Sequence, residues 1–318
     1  VGFQPDLVFT KSRSSAHYGI ITDSVTGAGK RLTTPTTNAQ DTTGASVASF
    51  ISTGYTLTDN STINGNSETN VSWSWKAGGS SSSNTDGTIT STVSANTTAG
   101  FSIVKWTGTA SAGTIGHGLG VAPKVVLVKR YSTSGGGWLM QHGDLTGATY
   151  VIKLNTTGAE ENDGANFNSA FPTSSVFSVY NSNNTNASGA DHIAYCFAEK
   201  TGFSKFGSYV GNGNTDGTFV YTGFKPAFVM LKYASPNGGV GNWGIHDGVR
   251  DVDNPVQKGL LANTSDAEDT HDFMDMLSNG FKLKSTSSNR NESGSTYIYM
   301  AFAEAPLVGT NNIPSTAR

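Results

Sequence analysis

The chain has 318 residues, of which 36% are hydrophobic and 14% charged, while Ser, Thr, Asn and Gly together make up 45%. These four types compete for local backbone hydrogen bonds or tolerate unusual dihedrals, which excludes a mainly helical protein. The net charge of −3 offers nothing to draw the chain to phosphate backbones, and a single cysteine, Cys196, excludes an intrachain disulfide framework.

In chain order, the first expected strand follows Pro5 as Leu7-Val8-Phe9-Thr10-Lys11. The same opening returns as Pro123 to Lys129 and as Pro226 to Lys232, each a proline, a short apolar run and a lysine. An aromatic and an aliphatic sharing one face follow 50, 54 and 55 residues after each proline: Tyr55-Thr56-Leu57, Phe177-Ser178-Val179 and Phe281-Lys282-Leu283. A closing element follows whose last aromatic lies 20 or 21 residues after that aromatic: Val71-Ser72-Trp73-Ser74-Trp75, Ile193-Ala194-Tyr195-Cys196-Phe197 and Ile298-Tyr299-Met300-Ala301-Phe302. Bulky groups at its first, third and fifth positions give the period of a strand with one face on a core. Constant spacing with diverged residues indicates duplication. More loosely, Tyr18 to Asp23, Trp138 to Asp144 and Trp243 to Asp247 pair an aromatic with a following acid.

Lead segments, Gly100 to Gly108 and Gly202 to Gly211, precede the second and third units, whereas the first has none, so its lead strand is expected to be missing or completed by another chain. Turn signals stand at Asn64-Gly65, Asn212-Gly213, Asn237-Gly238 and Asn279-Gly280. The pattern predicts an all-β protein of three tandem antiparallel β-sandwich, jelly-roll-like repeats of about 100 residues. Their expected bounds are 1–79, 100–200 and 201–305, with 80–99 a Ser/Thr/Gly-rich linker or insertion in which Thr88 to Val93 alternates, and 306–318 a surface tail. A brief helix is expected around Asp266 to Met276. The longest aliphatic run, Val125 to Val128, is far short of the roughly 20 apolar residues of a membrane-spanning helix.

Chemistry is hard to find. The six histidines, His17, His117, His142, His192, His246 and His271, lie in no nucleophile setting, and Cys196 alternates with aromatics as a space-filling thiol. Asp247, Asp251 and Asp253, and the Asp59 to Glu68 stretch, carry oxygen ligands without the order of a calcium loop, so they read as polar turns and no metal or cofactor is expected. Glu160, Glu161, Glu199, Glu268, Glu292 and Glu304 lack any motif of paired glycosidase carboxylates, and Glu199 and Glu304, placed alike after closing strands, read as structural. Catalytic residues are therefore expected to be none, and the chain is not expected to be an enzyme. Trp138 and Trp243 follow glycine-rich loops as stacking platforms would, but recurrence at Tyr18 favours a core position. Lys11, Lys129 and Lys232 read as solvated strand ends. No binding residue is assigned.

Several motifs together, namely Gly2-Phe3-Gln4-Pro5-Asp6-Leu7-Val8, Asp23-Ser24-Val25-Thr26-Gly27-Ala28-Gly29-Lys30, Trp73-Ser74-Trp75-Lys76-Ala77-Gly78-Gly79 and Tyr297 to Pro306, resemble a group of virion proteins of tailed bacteriophages common in marine and cyanobacterial phages. That resemblance covers nearly the whole chain. It implies a structural protein of the extracellular phage particle, a tail fibre or tailspike-like component contacting the host surface. The alternatives are a capsid decoration or head-fibre protein and, behind them, a polysaccharide-degrading spike. The implied partners are other virion proteins and a host surface glycan, without nucleic acid or membrane insertion. By analogy with phage fibres the chain is expected to form a homo-oligomer, a trimer, unless its three repeats imitate a trimer internally.

Overall fold

A computed structural model describes residues 1–44, 46–235 and 238–304. The fold is all-β, with antiparallel ladders throughout the named strands and one four-residue helix, Ser61–Asn64, among the described residues. The chain expected to form a helix near Asp266 is instead the strand Asp269–Leu277. Phe273, Met274 and Met276 are buried there among neighbouring strands, and that tertiary packing overrides the local pattern of acids. Alternation in the insertion does yield a strand, shifted to Ser91–Asn96, which joins the second unit's sheet. The Asn279-Gly280 signal closes the hairpin between Asp269–Leu277 and Gly280–Leu283. Asn237 of another signal, and the tail from Ala305, lie outside the described residues.

One strand order recurs three times. Opening strands Leu7–Ser12, Val125–Arg130 and Phe228–Tyr233 lie between closing strands Asn70–Trp75, Asp191–Phe197 and Thr296–Phe302 on one side and second strands Ile20–Asp23, Trp138–His142 and Gly244–Asp247 on the other. Third strands Leu32–Thr33, Tyr150–Lys153 and Val256–Leu261 follow outward. Lead strands Phe101–Thr107 and Ser204–Val210 cover the far edge of the second and third closing strands, and nothing in the described residues covers that edge of Asn70–Trp75. The third unit's eight-stranded sheet curls into a nearly closed barrel, its two ends linked where Thr218 Oγ1 donates to Val210 O at 2.7 Å.

The three stretches do not stand in series. The bulky positions of all three closing strands meet in one shared core with Leu7, Phe9, Leu127, Trp138, Met230 and Trp243. At its centre the equivalent residues Trp75, Phe197 and Phe302 pack edge to face, with centroids 5.7 to 6.4 Å apart. Such aromatic contacts add to burial. The opposite faces of the second and third sheets build separate cores around Val126, Ala194 and Phe177, and around Val229, Tyr299 and Phe281. Their closing strands are thus buried on both faces, where the sequence pattern suggested one. The first unit's outer face carries a much smaller cluster, Ile20 and Ile63 with Leu57 against them, beside the buried Val8. Small polar residues explain this, since Ser72 and Ser74 stand where Ala194 and Cys196 do.

Candidate functional site

Strand register shows which residues are equivalent, and it corrects the looser pairings. Lys129 faces Trp138. Thr10 faces Ile20 and Leu231 faces Gly244, and one step further along each ladder Gly19 falls opposite Lys11 and Trp243 opposite Lys232, so Gly19 occupies the place of Trp138 and Trp243. The next-strand bonds agree: Thr34, Leu154 and Ala262 donate their backbone N–H to the carbonyls of Gly19, Trp138 and Trp243. Tyr18, expected in the core, is instead 48% exposed, whereas Trp138 and Trp243 are buried and cannot serve as stacking platforms. By the same register His142, not Asp144, matches Asp23 and Asp247. Each of the three accepts a backbone N–H from two residues on: Val25 to Asp23 at 3.0 Å, Asp144 to His142 Nδ1 at 3.1 Å and Val249 to Asp247 at 3.1 Å.

These positions link the units head to tail. Tyr195 OH donates to Asp23 Oδ2 at 3.0 Å, and Trp73 Nε1 donates to Asp247 Oδ2 at 3.1 Å. His142 Nε2 lies 3.3 Å from Tyr299 O and closes the cycle. Burial pushes the His142 imidazole down to about 4, so it serves the contact as a neutral ring. Trp138 Nε1 likewise donates to Thr33 O, and Trp243 Nε1 to Lys153 O, both at 2.9 Å. At the seam between the first and third units, where Gly19 replaces the indole, Thr34 Oγ1 donates to Ala262 O at 2.5 Å. A Cβ on residue 19 would sit 2.6 Å from Phe9 Cε2, so Phe9 fills the space an indole would take.

The three lysines are not solvated ends: each is fully buried. Lys129 Nζ donates to Gly136 O at 2.5 Å, Lys232 Nζ to Gly241 O at 2.6 Å, and Lys11 Nζ to His17 O at 2.9 Å, the equivalent carbonyl in each unit. Lys232 also reaches Thr157 O of the second unit, and Lys11 reaches Thr264 O of the third, both across seams. Burial lowers Lys11 and Lys129 to about 8 and Lys232 to about 7. The sequence offered one clue, a lysine ending an otherwise apolar run in all three units. Its burial depends on loop carbonyls that no local pattern reveals.

The Trp-free seam opens into a groove of about 330 Å³, lined by Ala16, His17, Tyr18, Ile20, Arg31, Thr33, Thr62 and Ser265. Asn60 caps the short helix by accepting Thr62 N–H at 2.9 Å, which sets Thr62 at the rim. His17 Nε2 lies 3.2 Å from Glu68, and Arg31 donates to Asp41 Oδ2 at 2.7 and 3.0 Å. Lys11 braces both walls from behind through His17 O and Thr264 O. A larger depression of about 410 Å³ on the third unit is mostly apolar, bordered by Phe224, Pro226, Val249, Val252 and Met276.

Other sequence candidates have structural employment. Asp247 also holds Arg250 Nε at 2.6 Å, and Asp251 accepts the N–H groups of Gln257 and Lys258. Glu160 binds Thr146, Glu161 pairs with Lys153, and Glu199 takes Lys205 and the Phe206 N–H. Glu268 bridges Arg13 and Arg250. Among the described residues, no three His, Cys, Asp or Glu side chains gather as a metal site, and no helix is long and apolar enough to cross a membrane. Burial raises the Cys196 thiol to about 12, which keeps it protonated and unreactive.

This geometry defines an all-β protein whose three like-ordered sheets close on one core and whose polar groove lies where that likeness fails. A family model described as a domain of unknown function (DUF7483) matches residues 1–306, and the chain belongs to that family. No curated protein and no solved structure matches it.

Proposed function

We propose that the chain is a structural protein of a tailed-bacteriophage virion, a tail-fibre or tailspike-like component that contacts the host surface, built from three β-sandwich-like repeats. The observation that carries this reading is the cyclic closure of three like-ordered units around the Trp75, Phe197 and Phe302 triad. Such closure makes a rigid body with its polar loops outward, the arrangement a surface-contacting appendage needs. The resemblance of the sequence motifs to those of tailed-phage virion proteins suggests the biological setting. Binding rather than turnover is the favoured chemistry, because Glu160, Glu161, Glu199 and Glu268, four of the carboxylates considered for hydrolysis, hold arginines, lysines or backbone N–H groups.

A capsid decoration or head-fibre protein is the second reading, and the sharing of one core by all three units favours it, since this gives a compact body and not a shaft of domains in series. Cryo-electron microscopy of the intact particle carrying this chain separates the two. Density at the distal tail is the expected result, and density on the head lattice would replace the adhesive reading with decoration.

A further inference from the structure

The groove at the first–third seam differs from its counterparts by design of sequence. At the other two seams a buried indole, Trp138 or Trp243, fills the junction and donates to the neighbouring unit. Here Gly19 leaves no side chain, Phe9 and Thr34 seal only the inner part, and the outer part remains a recess. Tyr18 stands beside that recess nearly half exposed, next in sequence to the missing indole. Around the ring are hydroxyls from three different segments, Thr33, Thr62 and Ser265, together with Arg31 and His17.

We infer that this groove binds a neutral saccharide of one or two rings, an inference that rests on the adhesive reading above and names the ligand class it takes. An exposed aromatic face beside several hydroxyls suits a sugar ring, which presents C–H groups on one face and hydroxyls at its edge. The volume of about 330 Å³ lies at the small end of ligand pockets, which admits a short saccharide and no large ligand. Charge decides against an acidic sugar. Arg31, the one fixed cation on the lining, already donates two N–H groups to Asp41 Oδ2, and His17 faces Glu68, so the lining offers no uncompensated positive charge. Those same pairs hold donor and acceptor atoms in fixed positions, which lowers the ordering cost of recognising vicinal hydroxyls. Lys11 fixes the width by tying His17 O to Thr264 O across the seam.

The test is saturation-transfer NMR on the full chain with methyl glycosides of glucose, galactose, mannose, N-acetylglucosamine and sialic acid as probes. Transfer to at least one neutral glycoside is expected, and Tyr18→Ala should weaken it at least about tenfold, or ~1.4 kcal/mol, without moving the melting midpoint. Tyr221→Ala removes a 64% exposed tyrosine on the third unit and should leave binding intact. Transfer to none of the neutral probes, preference for sialic acid, retention in Tyr18→Ala, or equal loss in Tyr221→Ala would each overturn the inference. Localisation on the particle keeps the two readings apart. A chain at the distal tail that binds no glycoside sinks the groove alone, and a glycoside-binding chain on the head lattice sinks host adhesion alone.

Discussion

The first–third seam and the second–third seam use the same strand order and reach closure by different chemistry. Between the second and third units, Trp243 buries an indole and donates to Lys153 O, while Asn263 Oδ1 accepts the Trp243 N–H at 2.8 Å. Trp138 repeats this at the second–first seam with Asn155. Between the first and third units the Trp and Asn positions are Gly19 and Pro35, and an ionic chain takes over: Trp73 Nε1 to Asp247, Asp247 to Arg250, Arg250 to Glu268 and Glu268 to Arg13. Arg250 lies 5.7 Å from the Trp73 ring centroid with its side chain almost wholly buried. Closure therefore does not require one side chain. It requires that each seam be filled and that its polar atoms be satisfied.

The sharpest way to break that comparison is to remove the filling. Trp243→Ala leaves a cavity and orphans Lys153 O, so a loss of about 3 to 5 kcal/mol is expected in chemical denaturation. Removing the ionic link should cost nearly as much by another route. Glu268→Ala leaves the buried Arg250 guanidinium with Asp247 as its one carboxylate and frees Arg13, and breaking a buried pair costs about 3 kcal/mol or more. The two losses differ in salt dependence. The Glu268 contribution should shrink at high salt only to the extent that Arg13, which is partly exposed, is screened, and the Trp243 contribution should not shrink at all.

Much of this was legible in the sequence. Landmark spacing located the opening and closing strands, and alternation at Val71, Trp73 and Trp75 identified the face that enters the shared core. What escaped was whatever depends on contact between units. Lys11, Lys129 and Lys232 looked like solvent-facing ends because a charge after an apolar run usually is one, yet here a loop carbonyl of the same unit receives each ammonium, and for Lys11 and Lys232 a carbonyl of the neighbouring unit does so as well. Gly19 was hidden because its neighbour Tyr18 imitates the aromatic of the other units. The polar groove follows from that substitution and has no local signature at all.

The buried lysines give the comparison a pH axis. Their folded-state values are lowered, so the unfolded chain binds more protons between about pH 7 and 10.5, and stability should rise with pH across that window. Tyr195, Tyr209 and Tyr297 are pushed the other way by burial, so the unfolded chain ionises first above about pH 10 and stability should then fall. On the acid side, His142 and His192, both lowered to about 4, should withdraw stability as pH drops below about 6.5. Denaturation midpoints measured across pH should trace this dome, and Lys232→Met should flatten its rise. An unchanged slope would mean that the Lys232 ammonium is better solvated by Gly241 O and Thr157 O than its burial implies.

The smallest expected effect tests the first unit's uncovered edge. Arg13 N donates to Thr69 O across the opening and closing strands, which fixes the alternation: Trp73 and Trp75 turn their backbone groups inward to the ladder, and Ser72 and Ser74 turn theirs to the far edge. The second unit shows what that edge does when covered, since Ala198 N donates to Gly100 O and Cys196 stands opposite Ser102 of the lead strand. Ser74 and Cys196 are equivalent by register. Proline removes an N–H, so Cys196→Pro cuts a ladder bond inside a buried sheet and should cost about 3 kcal/mol or more. Ser74→Pro removes a donor that no described residue accepts, and on an edge strand proline is tolerated, so a change under about 1 kcal/mol is expected. A large loss from Ser74→Pro would instead show that this edge is paired in solution, because only a donor engaged in a ladder costs that much to remove.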